Sequence, residues 1–329
     1  MKPFRMALPR TLDEATASCS DSFAKTQVMA GGTDLLGELK ERTQTPGMIV
    51  NLKSLPGLGA IEETADGLAI GALAKLNDIA ADPRVRASWP ALVTTIGRAA
   101  TPQLRNVGTL GGNLCQRPRC HYYRDETFPC LRKGGQRCYA HGGVNEHHAI
   151  YENGRCAIVH PSNTAPVLIA HDAVVEIAAP GGTELRMLLE DFFVTAEENV
   201  QRENVLKPGQ IVTRILLPKK SAGRHCAYDE AREKQSFDWA LCGATVRLRR
   251  DAEKVTDARV VLSAVAPRPL RRIDLEQLIV GKTIDDQLVT TICSKAVASA
   301  TPMSDNKYKR KLVEAMLGRA LRAAWKGEQ

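Results

Sequence analysis

Apolar residues along the chain come in short runs whose period keeps changing. Phe4 to Pro9 reads as an opening strand. Thr11-Leu12-Asp13-Glu14 has the spacing of a capping box, in which a hydroxyl and a carboxylate satisfy backbone N–H groups at a helix start, so a helix is predicted to about Ser20. Strands are predicted at Gln27–Ala30 and Met48–Leu52, with a helical stretch to about Arg42 between them. Residues Ala60 to Leu73 read as a hairpin turning at Asp66-Gly67, and Lys75–Asp82 and Ser88–Ala100 as helices, the latter on apolar positions Leu92, Val93, Ile96, Ala99 and Ala100. Further on come a strand at Ala157–His160, a short helix at Asn163–Ala170, and strands at Ala173–Ala178 and Gln210–Leu217.

The charged, glycine-containing run Lys219 to His225 marks a boundary, dividing the chain into residues 1–220 and 224–329. Beyond it, strands at His225–Arg232, Trp239–Leu248 and Arg259–Ala266 precede helices at Ile273–Val280, Asp285–Ala300 and Asn306–Trp325. The first part alternates strands and helices without a regular βαβ rhythm, and the second has strands first and helices after. Both patterns predict α+β, the second part with a three-stranded sheet backed by helices.

Length and composition narrow the class. A chain of 329 residues with 43% hydrophobic and 25% charged residues can bury two cores and has the balance of a soluble globular protein. No apolar run reaches the roughly 18 to 20 residues of a membrane span. Residues 1–15 lack the apolar core of a signal peptide, so a cytoplasmic protein is expected, periplasmic only if a partner's signal carries it. The net charge of +8 is spread along the chain with no aromatic-interleaved basic strand, which suits a solvated basic surface or a docking face for an acidic subunit better than nucleic acid.

Two glycine loops carry the first chemical hint. Ala30-Gly31-Gly32-Thr33-Asp34-Leu35 follows a predicted strand and opens a helix, a layout that turns successive backbone N–H groups toward an anion. It is not the G-x-G-x-x-G of a Rossmann unit, and alone it also fits a tight turn. The second loop, Gly108-Thr109-Leu110-Gly111-Gly112-Asn113, raises the reading of a phosphate cradle for a phosphorylated cofactor.

Between Arg105 and Asn163 the chain holds five of its nine cysteines and five of its seven histidines in a polar segment with little apolar periodicity. Such a segment needs something other than a core of its own to fix it. Cys120, Cys130, Cys138 and Cys156 run as C-x9-C-x7-C-x17-C, without the close C-x2-4-C knuckles of structural zinc. Iron–sulfur clusters tolerate such wide spacing, so an Fe–S centre is favoured, with a zinc site and redox thiols as alternatives. His121, His141, His147, His148 and His160 read as surface or hydrogen-bonding residues, since four thiolates complete a cluster. Cys19, Cys226, Cys242 and Cys293 read as small buried hydrophobes, and a disulfide framework is not expected.

Ala30–Leu36 (AGGTDLL), Arg105–Leu114 (RNVGTLGGNL), HPSNTAPVLIAHDAVVEI from His160, REKQSFDWALCGATV from Arg232 and VVLSAVAPRPLRR from Val260 together resemble the FAD-binding medium subunit of the xanthine dehydrogenase family of molybdenum hydroxylases. The resemblance covers essentially the whole chain. It implies a vanillyl-alcohol-oxidase (PCMH) type FAD domain of two α/β subdomains followed by a C-terminal α+β domain. Two branches of that family carry a cysteine insertion after GGNL that holds a [4Fe-4S] cluster: the bacterial molybdenum aldehyde dehydrogenase and 4-hydroxybenzoyl-CoA reductase. Carried over, the ligands are Cys120, Cys130, Cys138 and Cys156, within an insertion of about 115–157, and Cys115 is not one. The short first gap and long last gap look more like the aldehyde-oxidising branch.

The resemblance further implies that Gly31, Gly32, Thr33, Asp34 and Leu35 line the diphosphate and adenosine part of FAD. Thr109, Gly111, Gly112 and Asn113 would approach the diphosphate, ribityl chain and flavin, and Lys234, Ser236 and Trp239 would face the ring. Asn163 stands where the family has Asp, which removes a charge near the cofactor. No side chain is expected to be an acid, base or nucleophile. The implied partners are a large molybdenum-cofactor subunit, a small [2Fe-2S] subunit and an external electron carrier. Two rival readings are a reductase-type β subunit with electrons entering at the [4Fe-4S] cluster, and a zinc-stapled basic interaction module.

Overall fold

The computed structural model describes residues 1–223, 225–234 and 237–328. Three sheets organise it. The first is parallel, with β1 (Arg5–Ala7), β2 (Thr26–Met29) and β3 (Met48–Asn51) in the order β1-β3-β2. The intervening helices, Leu12–Ala17 and Leu35–Lys40, supply the crossovers that parallel strands require. The first half of the capping box forms as spaced, Thr11 Oγ1 accepting the Glu14 N–H at 3.1 Å, while the Glu14 carboxylate reaches one residue further back and accepts the Arg10 N–H at 2.7 Å.

The second sheet is antiparallel: β4 (Ile61–Thr64), β5 (Gly67–Gly71), β6 (Val174–Ala179), β7 (Thr183–Leu188) and β8 (Ile211–Pro218), in the order β4-β5-β8-β6-β7. Its β4–β5 register pairs Thr64 with Gly67, so the hairpin loop is Ala65-Asp66, one residue earlier than expected. One face packs on helices Leu76–Ala81, Pro90–Arg98 and Thr164–Ala170, and Ile70, Ile79, Leu92, Ile96, Leu168 and Ile215 lie at the centre of this core. The helix expected over Ser88–Ala100 is two: Trp89, at φ −135° and ψ 56°, breaks the run before Pro90, and Asp82 caps an earlier helix, Pro83–Ser88.

The third sheet holds the three expected C-terminal strands, β9 (Cys226–Arg232), β10 (Ala240–Asp251) and β11 (Lys254–Ser263), extended by a two-residue strand β12 (Leu270–Arg271), in the order β12-β11-β10-β9. Helix Lys309–Lys326 buries Val313, Met316, Leu317, Ala320, Leu321 and Ala324 in the core beneath this sheet, the i, i+3, i+4, i+7 stripe of an amphipathic helix. The two cores are joined by charge: Asp172 pairs with Arg247 of β10 at 2.9 Å and with Arg259 of β11 at 2.8 Å.

Residues 115–160 contain only short helical turns and pair in no ladder, and the strand expected at Ala157–His160 does not form. Turns within the segment satisfy part of its backbone, and bonds from outside satisfy more of it, as buried peptide groups require. The Ile150 N–H donates to Val265 O at 2.9 Å and the His160 N–H to Ala266 O at 3.0 Å. Asn306 Nδ2 donates to the carbonyls of His148 and Ala149, both at 3.2 Å. Fully buried Lys309 sends its Nζ to His147 O at 3.0 Å and Ala264 O at 3.2 Å.

Candidate functional site

The two glycine loops meet. A Cβ on Gly31 would stand 2.3 Å from Val107 O, and one on Gly111 would stand 2.9 Å from the Ala72 Cβ, so neither loop can approach its neighbour with a side chain there. The loops differ in what they leave free. In the second, the Gly111 N–H donates to Ala72 O at 2.8 Å, Gly112 N–H to Thr109 Oγ1 at 3.2 Å and Asn113 N–H to Thr109 O at 2.8 Å. In the first, the N–H groups of Gly31, Gly32, Thr33 and Asp34 find no acceptor among the described residues. Four neighbouring free donors make an anion site.

A cleft of about 1080 Å³ opens on this loop, lined by Ala30 to Leu35 and by Thr109, Gly111 and Gly112. A second cleft, about 890 Å³, shares Thr33, Thr109 and Gly112 with it and adds Asn113, Asn163 and Trp239. A third, about 960 Å³, shares Arg119, Asn163, Asp238 and Trp239 with the second. Shared lining residues thus place the three in a row from the first sheet to the third.

The expected residues take different parts in them. Asp34 lines the first cleft, but its carboxylate is engaged by the cysteine segment: Oδ2 accepts the Arg117 N–H at 2.7 Å, and Oδ1 meets Arg124 Nη2 at 2.8 Å and the Arg119 guanidinium. Burial opposes its ionisation, and the Arg119 and Arg124 guanidiniums outweigh burial, holding the carboxyl below its ordinary range. Asn113 braces the far wall, its Oδ1 accepting from Ser162 Oγ and Thr164 Oγ1, each at 2.7 Å. Asn163 sits beside Glu230, with Nδ2 3.5 Å from its Oε2. Trp239 is about half exposed, with Arg119 stacked 4.6 Å from its ring centroid. Lys234 is exposed and lines none of these clefts, and Ser236 lies outside the described residues.

Cys120, Cys130, Cys138 and Cys156 line a single small cavity with Tyr122 and Ile158. Cys120 and His148 line both this cavity and the third cleft. His148 Nε2 lies 3.2 Å from Cys120 Sγ, within hydrogen-bond reach of the thiol. A hydrogen bond from the Cys138 thiol pushes the Cys156 thiol down, the Arg132 guanidinium adding to it against burial, while that shared hydrogen and burial push Cys138 up. Among the described residues no group of three or more His, Cys, Asp or Glu side chains is arranged to hold a single metal ion. Of the other cysteines, Cys226, Cys242 and Cys293 are buried as expected, Cys19 is half-buried, and burial pushes the Cys115 thiol up to about 12.

Arginines are what the sequence reading missed. Arg117 and Arg132 converge on Glu203, Arg119 and Arg124 on Asp34, and Arg202 lies in the wall of the first cleft. An R-x-R pattern at Arg117 and Arg119, in a segment with no helical face to solvate, is a signal that could have found two of them.

Residues 2–220 match the family described as the FAD binding domain in molybdopterin dehydrogenase. The chain belongs to this family. Residues 226–324 match the CO dehydrogenase flavoprotein C-terminal domain. The chain is 33% identical to the aldehyde oxidoreductase FAD-binding subunit PaoB of Escherichia coli K12, over 98% of this chain and 99% of that one. It is 28% identical to the carbon monoxide dehydrogenase medium chain of Hydrogenophaga pseudoflava, over 98% and 97%. A solved carbon monoxide dehydrogenase of the same organism, lacking the Mo-pyranopterin moiety, superposes with a TM-score of 0.77 at 25% identity, covering 100% of this chain and 99% of that one. The protein is therefore an FAD-binding medium subunit of the molybdenum hydroxylase family, an oxidoreductase flavoprotein. No helix among the described residues is long and apolar enough to cross a membrane.

Proposed function

We propose that this chain is the FAD- and [4Fe-4S]-carrying electron-transfer subunit of a heteromeric molybdenum dehydrogenase of the aldehyde- or xanthine-oxidising type. One observation carries the reading: four cysteines spread over 37 residues of sequence line one cavity, and that cavity adjoins the end of a row of clefts whose other end is a glycine-loop anion site. The donor set is four thiols in mostly apolar surroundings, with Arg132 beside Cys156 and His148 beside Cys120, which suits an anionic iron–sulfur cluster. Cys120, Cys130, Cys138 and Cys156 would hold the cluster.

Gly31 to Leu35 would hold the FAD diphosphate and adenosine. Thr109, Gly111, Gly112 and Asn113 would hold the middle of the cofactor, and Asn163 and Trp239 would stand at the flavin end. Bound FAD supplies a junction between one-electron centres and a two-electron acceptor. The chain's own work is to bind and orient, in a complex with a large molybdenum-cofactor subunit and a small [2Fe-2S] subunit, delivering to an external acceptor in the cytoplasm. We set the boundary between the FAD-binding part, 1–220, and the C-terminal part, 224–329, at the charged run that closes β8.

The test is anaerobic purification followed by flavin and metal analysis of the wild type and a Cys130→Ser variant. About one FAD and about four irons per chain, with iron lost and flavin kept in the variant, are expected. Zinc in place of iron, or iron unchanged in the variant, would overturn the cluster assignment.

A further inference from the structure

Two arginines line the first cleft, and they are in opposite states. Arg117 is saturated: its Nε donates to Tyr123 Oη at 3.0 Å, and its Nη1 to Gln201 O at 2.9 Å and Glu203 Oε2 at 2.8 Å. Arg202 has no hydrogen bond or ion pair among the described residues, and its Nε is buried without an acceptor. The acid next to it cannot serve, because Glu203 is already shared by Arg117 and Arg132. The Arg202 guanidinium lies 3.8 Å from the centroid of the Phe23 ring. That contact covers a face of the cation while leaving its N–H edge undirected.

An unpaired cation with a buried donor is costly, and a folded protein keeps one mainly where a ligand completes it. The same cleft holds the four unanswered N–H groups of Gly31 to Asp34. Both features ask for the same kind of group, rich in acceptors and negatively charged. Within FAD only the diphosphate is charged. Arginine's planar fork suits phosphate oxygens bidentately, as a lysine would not.

We infer that Arg202, held flat on Phe23, is the residue that neutralises and orients the FAD diphosphate, the glycine loop supplying neutral donors and Arg202 the charge. This rests on assigning the first cleft to the diphosphate end of FAD.

The experiment uses the full-length chain freed of flavin and titrated with FAD and with riboflavin, which lacks the phosphates. Arg202→Met should weaken FAD about ten- to a hundredfold, each tenfold being 1.4 kcal/mol, and leave riboflavin affinity unchanged, with Arg202→Lys recovering part of the loss. Inorganic diphosphate should compete with FAD on the wild type. Unchanged FAD affinity in Arg202→Met, or equal loss of FAD and riboflavin, overturns the inference. If the methionine variant does not fold, the lysine variant decides with diphosphate competition on the wild type: full FAD affinity in the first, or none of the second, overturns it. A wild type that binds FAD while diphosphate fails to compete shows that the cleft holds another part of the cofactor. That failure belongs to the cleft assignment and takes the inference with it.

Discussion

Arg132 Nη1 lies 2.5 Å from Glu203 Oε1, with both side chains 1% exposed. Glu203 comes from the segment before β8 and Arg132 from the cysteine segment, so this pair clamps the second onto the first. Burial opposes ionisation of Glu203, and the guanidiniums of Arg117 and Arg132 overcome it, keeping the carboxyl below its ordinary range.

Removing that carboxylate strands two buried cations. Glu203→Ala should cost about 3–5 kcal/mol of stability, the range for breaking one side of a buried ion pair. Urea denaturation of the flavin-free chain measures it. A loss below about 1 kcal/mol, the value of an exposed pair, would mean that water reaches the site.

The contact between the two glycine loops is equally exacting. Gly31→Ala places a methyl group 2.3 Å from Val107 O, and backbone cannot yield as a side-chain tip can. A destabilisation of about 1–3 kcal/mol is expected, the usual cost of overpacking, together with reduced flavin content after purification. Full flavin content at wild-type stability would contradict the close approach.

Asp34 ties the first loop to Arg119 and Arg124 and to the Arg117 N–H. In Asp34→Asn the amide can still accept one hydrogen bond, but the two guanidiniums lose their counter-charge. Limited proteolysis should then cut within residues 115–135 faster than in the wild type, while cleavage elsewhere stays the same. Equal cutting would mean that the remaining ties, Glu203 to Arg117 and Arg132 and Glu38 to Tyr123 among them, hold the segment without Asp34.

Acid should unfold the chain through its buried histidines. His171 is fully buried, with Nδ1 2.8 Å from Ser221 O, and burial pushes its imidazole down to about 4; burial does the same to His160. Both stay neutral in the native state while the unfolded chain takes up protons near the ordinary value of about 6.5. The unfolded state therefore binds more protons between those pH values. The stabilisation is fully present above about pH 6.5 and falls as pH drops, by about 3 kcal/mol per histidine by pH 4. Denaturation midpoints measured from pH 7 to 4.5 should show a shallower slope in His171→Gln.

Local spacing made much of this legible. The strand, glycine turn and helix around Gly31 are written within a short window and form there, and the four thiols from Cys120 to Cys156, also close in sequence, line one cavity. The arginine pairs were not readable, because Arg117 and Glu203 stand 86 residues apart and Arg132 and Glu203 stand 71 apart, and nothing near either partner encodes the other. The strand expected at Ala157–His160 failed for a related reason: Ala157 is buried against Tyr122 and Ala140 and Ile158 against Cys156 and Ala196, while the His160 N–H goes to Ala266 O, so no ladder forms. Lys234 shared a sequence motif with Trp239 yet faces solvent, since neighbours on one loop need not point one way.

The ties from Asn306 and Lys309 to the carbonyls of residues 147–149 set an order of events at the ribosome. Cys120 to Cys156 are synthesised long before residues 306–309 emerge. Until those residues leave the exit tunnel, the segment beside Cys120 lacks the anchors that hold it shut. Residues 147–149, with His148 beside Cys120, thus reach their final place only after residues 306–309 have been made.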